Sequence, residues 1–168
     1  MIFSPFVYNA AQESVPVEIS PMTAEDARET NQFPLWQTDW ESDYILSERF
    51  EKYAVKCGSE LLALGCYELL KNSLVVHIVY MEAQPESNPT MTDSKKYSGI
   101  GRLLIAYGIK LSIDKGFAGD VVLEAKTTRL ARHYEKDFGA VALPSFGLTP
   151  RYLIADEAAK RIFFTYLI

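Results

Sequence analysis

The chain has 168 residues, of which 48% are hydrophobic and 23% charged, with a formal net charge of −5 and a pI near 5.1. This length and composition predict one globular domain over residues 1–168, which buries about two-thirds of the surface that the unfolded chain exposes. The acidic balance argues against sequence-independent nucleic-acid binding, and no apolar run approaches the roughly 20 residues of a membrane-spanning helix. We therefore expect a soluble, cytoplasmic protein with no nucleic-acid or membrane partner.

The first third of the chain predicts strands and short helices. Met1–Ser14 has no periodicity and fits either a loose arm or a short strand, whereas Val15–Ser20 alternates like a half-buried strand. A Thr-x-x-Asp capping box predicts a short helix over Thr23–Asn31. Aromatic residues at four-residue spacing predict a second helical segment over Leu35–Leu46. The stretch Glu25–Glu51 is acidic, which fits either a solvated face or a surface that attracts a cationic substrate.

The middle of the chain predicts three consecutive strands. Phe50–Cys57 and Leu61–Leu69 are expected to form a hairpin across a Gly-Ser-Glu turn. Leu74–Met81 is almost entirely apolar, which is typical of a central strand covered on both faces. His77 lies inside this strand, and we interpret it as a core histidine rather than as a ligand. The two cysteines of the hairpin are not expected to lie opposite each other, so we interpret them as free thiols.

The stretch Lys96–Gly116 joins closely spaced glycines to an amphipathic helix. Gly99 and Gly101 carry no Cβ, so a ligand can approach the main chain closely. The first N–H groups of a helix have no internal partner, and the helix dipole adds partial positive charge there. This combination is typical of phosphate-binding sites. Lys96 and Arg102 add formal positive charge on either side of the turn.

The last third alternates strands and helices. The patterns predict a strand over Val121–Ala125 and a helix over Thr127–Phe138. Two further strands are predicted over Ala140–Leu143 and Arg151–Ala155. The end of the chain fits a helix that begins at Asp156, or a last strand over Arg161–Ile168. We favour the helix because Asp156–Lys160 has the composition of a helix start.

These segments, in this order, resemble the GNAT superfamily, the Gcn5-related N-acetyltransferases that use acetyl-CoA. The pyrophosphate signature of the family, Gln/Arg-x-x-Gly-x-Gly/Ala, is similar to KYSGIG at Lys96–Gly101, where lysine replaces Gln/Arg. The family helix A-x-x-x-Y-E-K-x-G-F is similar to ARHYEKDFGA at Ala131–Ala140, and the family strand L-E-V-R is similar to Val122–Lys126. The resemblance covers Val15–Leu143. It implies an α/β fold whose mostly antiparallel sheet, flanked by helices, contains one parallel pair splayed at a coenzyme cleft.

The resemblance also implies a reaction. It implies transfer of an acetyl group from acetyl-CoA, as cosubstrate, to a primary amine of a small molecule, peptide or protein, by direct attack in a ternary complex. Tyr134 would protonate the departing thiolate. The base is left open between Glu82, Glu124, Glu68, a water chain and no dedicated base. The alternative is a catalytically silent domain that binds CoA or a protein partner.

The residues implied to contact the coenzyme fall in two groups, the strand end and the glycine turn. They are Val79, Tyr80, Met81, Lys96, Ser98, Gly99, Ile100, Gly101, Arg102 and Leu103. No metal site is predicted, because the two histidines and two cysteines lack ligand spacing. The sequence leaves open whether the protein forms a homodimer.

Overall fold

The computed structural model describes residues 1–145, 147 and 149–168, which contain ten strands and five α-helices. The strands are β1 (Phe6–Asn9), β2 (Ser14–Pro16), β3 (Glu18–Pro21), β4 (Glu51–Cys57), β5 (Glu60–Leu70), β6 (Val75–Ala83), β7 (Tyr97–Ser98), β8 (Val121–Glu124), β9 (Val141–Leu143) and β10 (Arg151–Ile154). The helices are α1 (Ala24–Glu29), α2 (Asp43–Leu46), α3 (Ile100–Asp114), α4 (Thr128–Phe138) and α5 (Asp156–Phe164).

The main sheet has seven strands in the order β3-β4-β5-β6-β8-β10-β9. Neighbouring strands are antiparallel except for β6 and β8, which are parallel and joined through α3. Helix α3 packs on one face of the sheet within the larger apolar cluster, and α1 with the segment that follows it covers the other face over β4 and β5. The predicted α/β fold, with a mostly antiparallel sheet and one parallel pair, is confirmed.

The two parallel strands stay together over a short distance only. They pair where Val76–Ile78 lies beside Val121–Leu123. Beyond this point β6 keeps its pairing with β5 as far as Ala83, but no strand of the described residues pairs with its other edge. The main-chain groups on that edge of β6 therefore have no strand partner among the described residues, which leaves an opening between the two strands.

A β-bulge lies at the point where the strands part. Cys66 of β5 is opposite Tyr80, but the next residue, Tyr67, is opposite Ile78. Val79 is thus an extra residue on β6. A bulge bends its strand and increases the local twist, so the bulge explains why β6 turns away from β8 here.

Tyr67 links β5 to α3 in the centre of the core. Its side chain is fully buried, and its hydroxyl donates a 2.6 Å hydrogen bond to the carbonyl oxygen of Leu104 in α3. A Cβ atom at Gly65 would lie 2.8 Å from the Tyr67 ring, and one at Gly108 would lie 3.1 Å from it. The two glycines therefore leave room for one tyrosine, which accounts for a glycine inside α3.

Both ends of the chain pack against α3. Strand β1 pairs with β2 and with β7, and β7 directly precedes the glycine at the start of α3. Met1–Ser14 therefore contains a strand, one of the two predicted alternatives. Helix α5 confirms the helix favoured for the C-terminal segment, and Leu167 beyond it forms a β-bridge with Phe3.

Most predicted elements are confirmed with small changes at their ends, but the helix predicted over Leu35–Leu46 is wrong in its first part. Only the last turn of this segment, α2, is helical. Trp40 is fully buried, whereas Tyr44 of the same predicted stripe is 51% exposed. The aromatic residues do not share one face because a distant carboxylate, described below, binds the main chain before α2. Val15–Ser20 is also divided, between β2 and β3.

The cysteines and the helix lengths give two further outcomes. Cys57 and Cys66 are free thiols, as predicted, and burial raises the pKa of Cys66 to about 12. None of the helices in the described residues combines the length and the hydrophobicity that crossing a bilayer requires.

Replacement of Gly65 by alanine tests the packing around Tyr67. The new methyl group would meet a ring that its hydroxyl bond holds in place, so we expect Gly65→Ala to lower the free energy of unfolding by about 1–3 kcal/mol. Gly101→Ala is the matched control, because a Cβ there meets no atom within 4 Å. Chemical denaturation measures both; equal stability of the two variants would contradict this account of the core.

Candidate active site

The glycine turn exposes main-chain donors at the start of α3. Gly99 caps the helix with φ of +82°, a left-handed conformation that favours glycine. A Cβ at Gly101 would meet no atom within 4 Å. Among the described residues, no acceptor hydrogen-bonds to the N–H groups of Ile100, Gly101 or Arg102. Together with the helix dipole, these groups can bind an anion such as phosphate.

Other residues of the predicted coenzyme set support the turn from within the protein. The side chains of Ile100 and Leu103 are buried, and the Leu103 N–H donates to the carbonyl of Gly99 at 3.1 Å. Leu103 therefore offers no free donor. Ser98 pairs with Tyr8 of β1, and the Tyr8 ring lies 3.5 Å from the Cβ position of Gly99. Tyr8 thus forms one wall of the turn, although Met1–Ser14 has no periodicity from which this could be predicted.

The two basic side chains near the turn are held by neighbouring residues. Lys96 Nζ lies 2.7 Å from a carboxylate oxygen of Glu60. The guanidinium of Arg102 donates to the Thr165 hydroxyl at 3.2 Å and lies 5.9 Å from the centroid of the Phe138 ring. The groups that face open space at the turn are therefore main-chain N–H groups. A cavity of about 270 Å³ lies between the end of β1 and the start of β7, lined by Asn9, Ala10, Ala11, Lys96 and Tyr97.

The predicted strand-end residues lie at the opening between β6 and β8. Val79 and Tyr80 pack on the α1 side of the sheet with Trp40, whereas Met81 packs on the α3 side. Lys126, which follows β8, places its Nζ 5.3 Å from the centroid of the Tyr80 ring. A cation–π contact therefore crosses the opening. Lys126 ends the segment that resembles the L-E-V-R strand, but that resemblance assigned it no role.

Tyr134 of α4 has a largely buried ring and a free hydroxyl. The residue is 7% exposed, and its ring meets that of Tyr152 edge-on. The hydroxyl has no hydrogen-bond partner among the described residues. None of the fully buried side-chain polar atoms of these residues lacks a partner, so the hydroxyl is not fully buried and remains accessible. Burial raises the pKa of Tyr134, and the negative charge of Glu124 raises it further. The phenol therefore stays protonated at neutral pH.

Glu124 is paired rather than free. Its two oxygens lie 2.8 and 2.9 Å from Nε2 of His77, and Arg151 approaches within 3.5 Å. Burial alone would raise the pKa of Glu124, but His77 and Arg151 outweigh it and hold this pKa below its usual value. His77 is partly buried and its ring is bound by Glu124, so it has a hydrogen-bond partner, as expected of a core histidine, but it lies at the margin of the core rather than inside it. No group of three or more His, Cys, Asp or Glu in the described chain could hold a metal ion.

Glu82 holds the segment before α2. The residue is 6% exposed and accepts hydrogen bonds from the main-chain N–H of Gln37 at 2.6 Å, that of Thr38 at 3.0 Å, and the indole N–H of Trp40 at 3.0 Å. These bonds occupy both of its oxygens. A catalytic role for Glu82 stays a prediction, and the contacts favour Glu124 as the carboxylate of the site.

An acidic cavity of about 200 Å³ opens beside the residues that follow β6. Its lining combines three carboxylates with aromatic and proline side chains, including Glu29, Glu60, Glu86, Phe33, Pro34 and Trp36. Carboxylates and aromatic faces both attract cations. The acidic segment Glu25–Glu51 contributes Glu29 to this cavity.

The fold has counterparts among solved structures, although no protein-family model matches the chain and no curated protein matches its sequence. The ribosomal-protein-S18-alanine N-acetyltransferase of Escherichia coli superposes with a TM-score of 0.55 at 14% identity, covering 83% of this chain and 95% of its own. A Bacillus subtilis acetyltransferase in complex with CoA gives 0.56 at 15%, covering 83% and 97%. An aminoglycoside acetyltransferase in complex with coenzyme A gives 0.58 at 15%, covering 86% and 98%. At these identities the likeness establishes the fold, which is that of the GNAT acetyltransferases.

The role of Glu82 can be tested by the change Glu82→Gln. In one orientation the new amide would place its NH2 group against the N–H of Gln37, and in the other against the N–H groups of Thr38 and Trp40. In either case at least one donor would lose its acceptor. We expect the free energy of unfolding to fall by about 1–3 kcal/mol, measured by denaturation with tryptophan fluorescence. Glu86→Gln, at an exposed residue, is the control. If both variants were as stable as the unmodified protein, Glu82 would not be holding this segment.

Proposed function

We propose that this chain, which has the GNAT fold, moves the acetyl group of acetyl-CoA to a primary amine by direct attack within a ternary complex. One observation carries the proposal: unpartnered main-chain donors at the Gly99–Gly101 turn occur together with an accessible phenol at Tyr134 and a cleft between β6 and β8. The solved structures with this fold include N-acetyltransferases and CoA complexes. These proteins share the fold of this chain, and their activity and bound coenzyme support the same chemistry here.

The glycine turn fits the diphosphate of a coenzyme. The N–H groups of Ile100, Gly101 and Arg102 have no acceptor within the described protein, and the space over Gly101 holds no protein atom. Acetyl-CoA, as the substrate, supplies an acetyl thioester. We propose that the turn binds its diphosphate and that the main-chain edge of Val79–Met81 lies beside its acyl end, where donors can stabilise charge on the carbonyl oxygen.

The proton transfers follow from the chemistry of the amine. A lysine-like amine has a reference pKa of about 10.4, so it must lose a proton before its nitrogen can attack the thioester carbon. As the new C–N bond forms, the C–S bond breaks and the sulfur needs a proton. Tyr134 can donate that proton, because its hydroxyl is protonated and accessible. The charge of Glu124 raises the pKa of Tyr134, so this carboxylate lies near the proposed acid, which supports a role for both residues in one site.

The charge around the opening favours a cationic acceptor. The lining of the acidic cavity beside β6 includes Glu29, Glu86 and the ring of Trp36. Its third carboxylate, Glu60, is already paired with Lys96. A protonated amine of a small molecule, a peptide or a protein would be attracted to such a surface. The aminoglycoside acetyltransferase and the ribosomal-protein-alanine acetyltransferase are named for amine-bearing acceptors, which supports this substrate class.

Removal of the Tyr134 hydroxyl tests the acid. We expect Tyr134→Phe to lower kcat by about 10²–10⁴-fold, because the thiolate loses its proton donor, while coenzyme affinity measured by calorimetry stays the same. The rate is followed by free thiol released from acetyl-CoA with a panel of amines. Tyr152→Phe is the matched control, since its hydroxyl binds Glu135 at 2.9 Å instead of facing the cleft.

The same measurement separates the enzyme from a silent binding domain. A domain that only binds coenzyme would release no thiol with any amine, yet would bind CoA in calorimetry. A rate for Tyr134→Phe equal to that of the unmodified enzyme would mean that another group protonates the sulfur.

The phosphate cradle is tested at Gly101. A leucine side chain would fill the open space over the turn, so we expect Gly101→Leu to weaken CoA binding at least about tenfold, or about 1.4 kcal/mol. Gly101→Ala, which adds one methyl group, should lose less, and both variants should remain folded because no protein atom lies within 4 Å of the new Cβ. Unchanged CoA affinity in Gly101→Leu would mean that the coenzyme does not bind at this turn.

A further inference from the structure

The two ring nitrogens of His77 have different surroundings. Nε2 lies 2.8 and 2.9 Å from the oxygens of Glu124. An ionised carboxylate can only accept a hydrogen bond, so Nε2 carries the hydrogen and, in the neutral ring, the lone pair is on Nδ1. Nδ1 lies 4.0 Å from Glu68, which is beyond hydrogen-bond distance, and no other described residue hydrogen-bonds to it.

The free nitrogen of His77 is accessible and close to the opening of the sheet. None of the fully buried side-chain polar atoms of the described residues lacks a hydrogen-bond partner, so the unpartnered Nδ1 is not fully buried. The side chain of His77 is 13% exposed. Ile78 packs on the α3 side and Val79 on the α1 side, so His77 and Val79 share a face of β6. Two residues span about 7 Å along a strand, which puts the ring within reach of a group bound at the bulge.

Charged side chains from the two neighbouring strands surround His77. Glu124 from β8 and Glu68 from β5 flank the ring, and each is paired with an arginine: Arg151 at 3.5 Å and Arg49 at 2.5 Å, respectively. Two carboxylates and two guanidinium groups therefore surround the ring.

We propose that Nδ1 of His77 accepts the proton that the acceptor amine loses, and that Glu124 is the positioning residue that fixes the ring. The proposal rests on the acetyl transfer proposed above. Glu124 itself is a weaker base than an ordinary glutamate because its partners lower its pKa. An imidazole exchanges its proton in the neutral range, where such a transfer is needed.

The protons balance without another reactant. The ammonium group loses two protons in all as the C–N bond forms and the C–S bond breaks. One leaves to solvent through His77, and the other restores the hydroxyl of Tyr134 after that residue has protonated the thiolate. The products are the N-acetyl amide, the free thiol and one released proton.

The kinetic test replaces the ring while keeping a donor for Glu124. We expect His77→Gln to lower kcat by about 10²–10⁴-fold, to leave CoA affinity unchanged, and to remove the acidic limb of the profile of kcat/KM against pH. His133→Gln is the matched control, because His133 is the other histidine of the chain and lies exposed on α4. It should keep the rate and the pH profile of the unmodified enzyme.

Two further measurements address the positioning role and the tautomer. Glu124→Gln removes the carboxylate that fixes the hydrogen on Nε2. We expect kcat to fall while CoA affinity stays the same, and the neutral ring of this variant to be no longer confined to the Nε2–H tautomer, which loss of a purely structural contact would not cause. Imidazole nitrogen NMR of the unmodified protein and of His133→Gln identifies the His77 signals even if His77→Gln does not fold. The neutral ring should carry its hydrogen on Nε2.

Each outcome bears on a definite claim. A hydrogen on Nδ1 in the neutral ring, or an unchanged rate and pH profile in His77→Gln, would overturn the role of His77 while leaving acetyl transfer in place. No thiol release by the unmodified protein with any amine would overturn the proposed function, and the catalytic role of His77 with it.

Discussion

The extra residue at Val79 is the constraint on which the site depends. Strand β6 pairs with β5 along most of its length but with β8 only over Val76–Ile78. With a regular register, the parallel pair could continue and close the sheet. The bulge instead bends β6 away, leaves its main-chain edge unpaired, and turns Val79 and Tyr80 to one face. The open cleft is therefore a property of the backbone, and side chains then determine what it can bind.

The two faces of the sheet carry different parts of the proposed chemistry. The α3 side carries the glycine turn and Tyr134, both suited to a phosphate-bearing thioester and its leaving sulfur. The α1 side carries His77 with its carboxylate and arginine partners, and the acidic cavity lies at the end of the same strands. The coenzyme and the amine would thus approach from opposite faces and meet where the sheet is open, which suits direct transfer without a covalent enzyme intermediate.

Local patterns made much of this structure predictable, and contacts between distant residues account for the rest. The glycine turn, β6 and α4 are confirmed because each depends on residue types within a few positions. The helix predicted over Leu35–Leu46 failed because Glu82, 45 residues from Gln37, binds the main chain of that segment. His77 looked apolar in context because its partner Glu124 is 47 residues away. The bulge leaves no mark in composition or periodicity.

The fit of Tyr67 between Gly65 and Gly108 also constrains how this protein can change. A larger residue at either glycine requires a smaller side chain at 67, and a smaller side chain at 67 leaves a cavity unless a glycine becomes larger. Substitutions at the three positions should therefore be epistatic, with effects that are not additive. The glycine turn lies at the start of α3. Substitutions at these three buried positions could therefore shift the proposed coenzyme site without changing any residue in it.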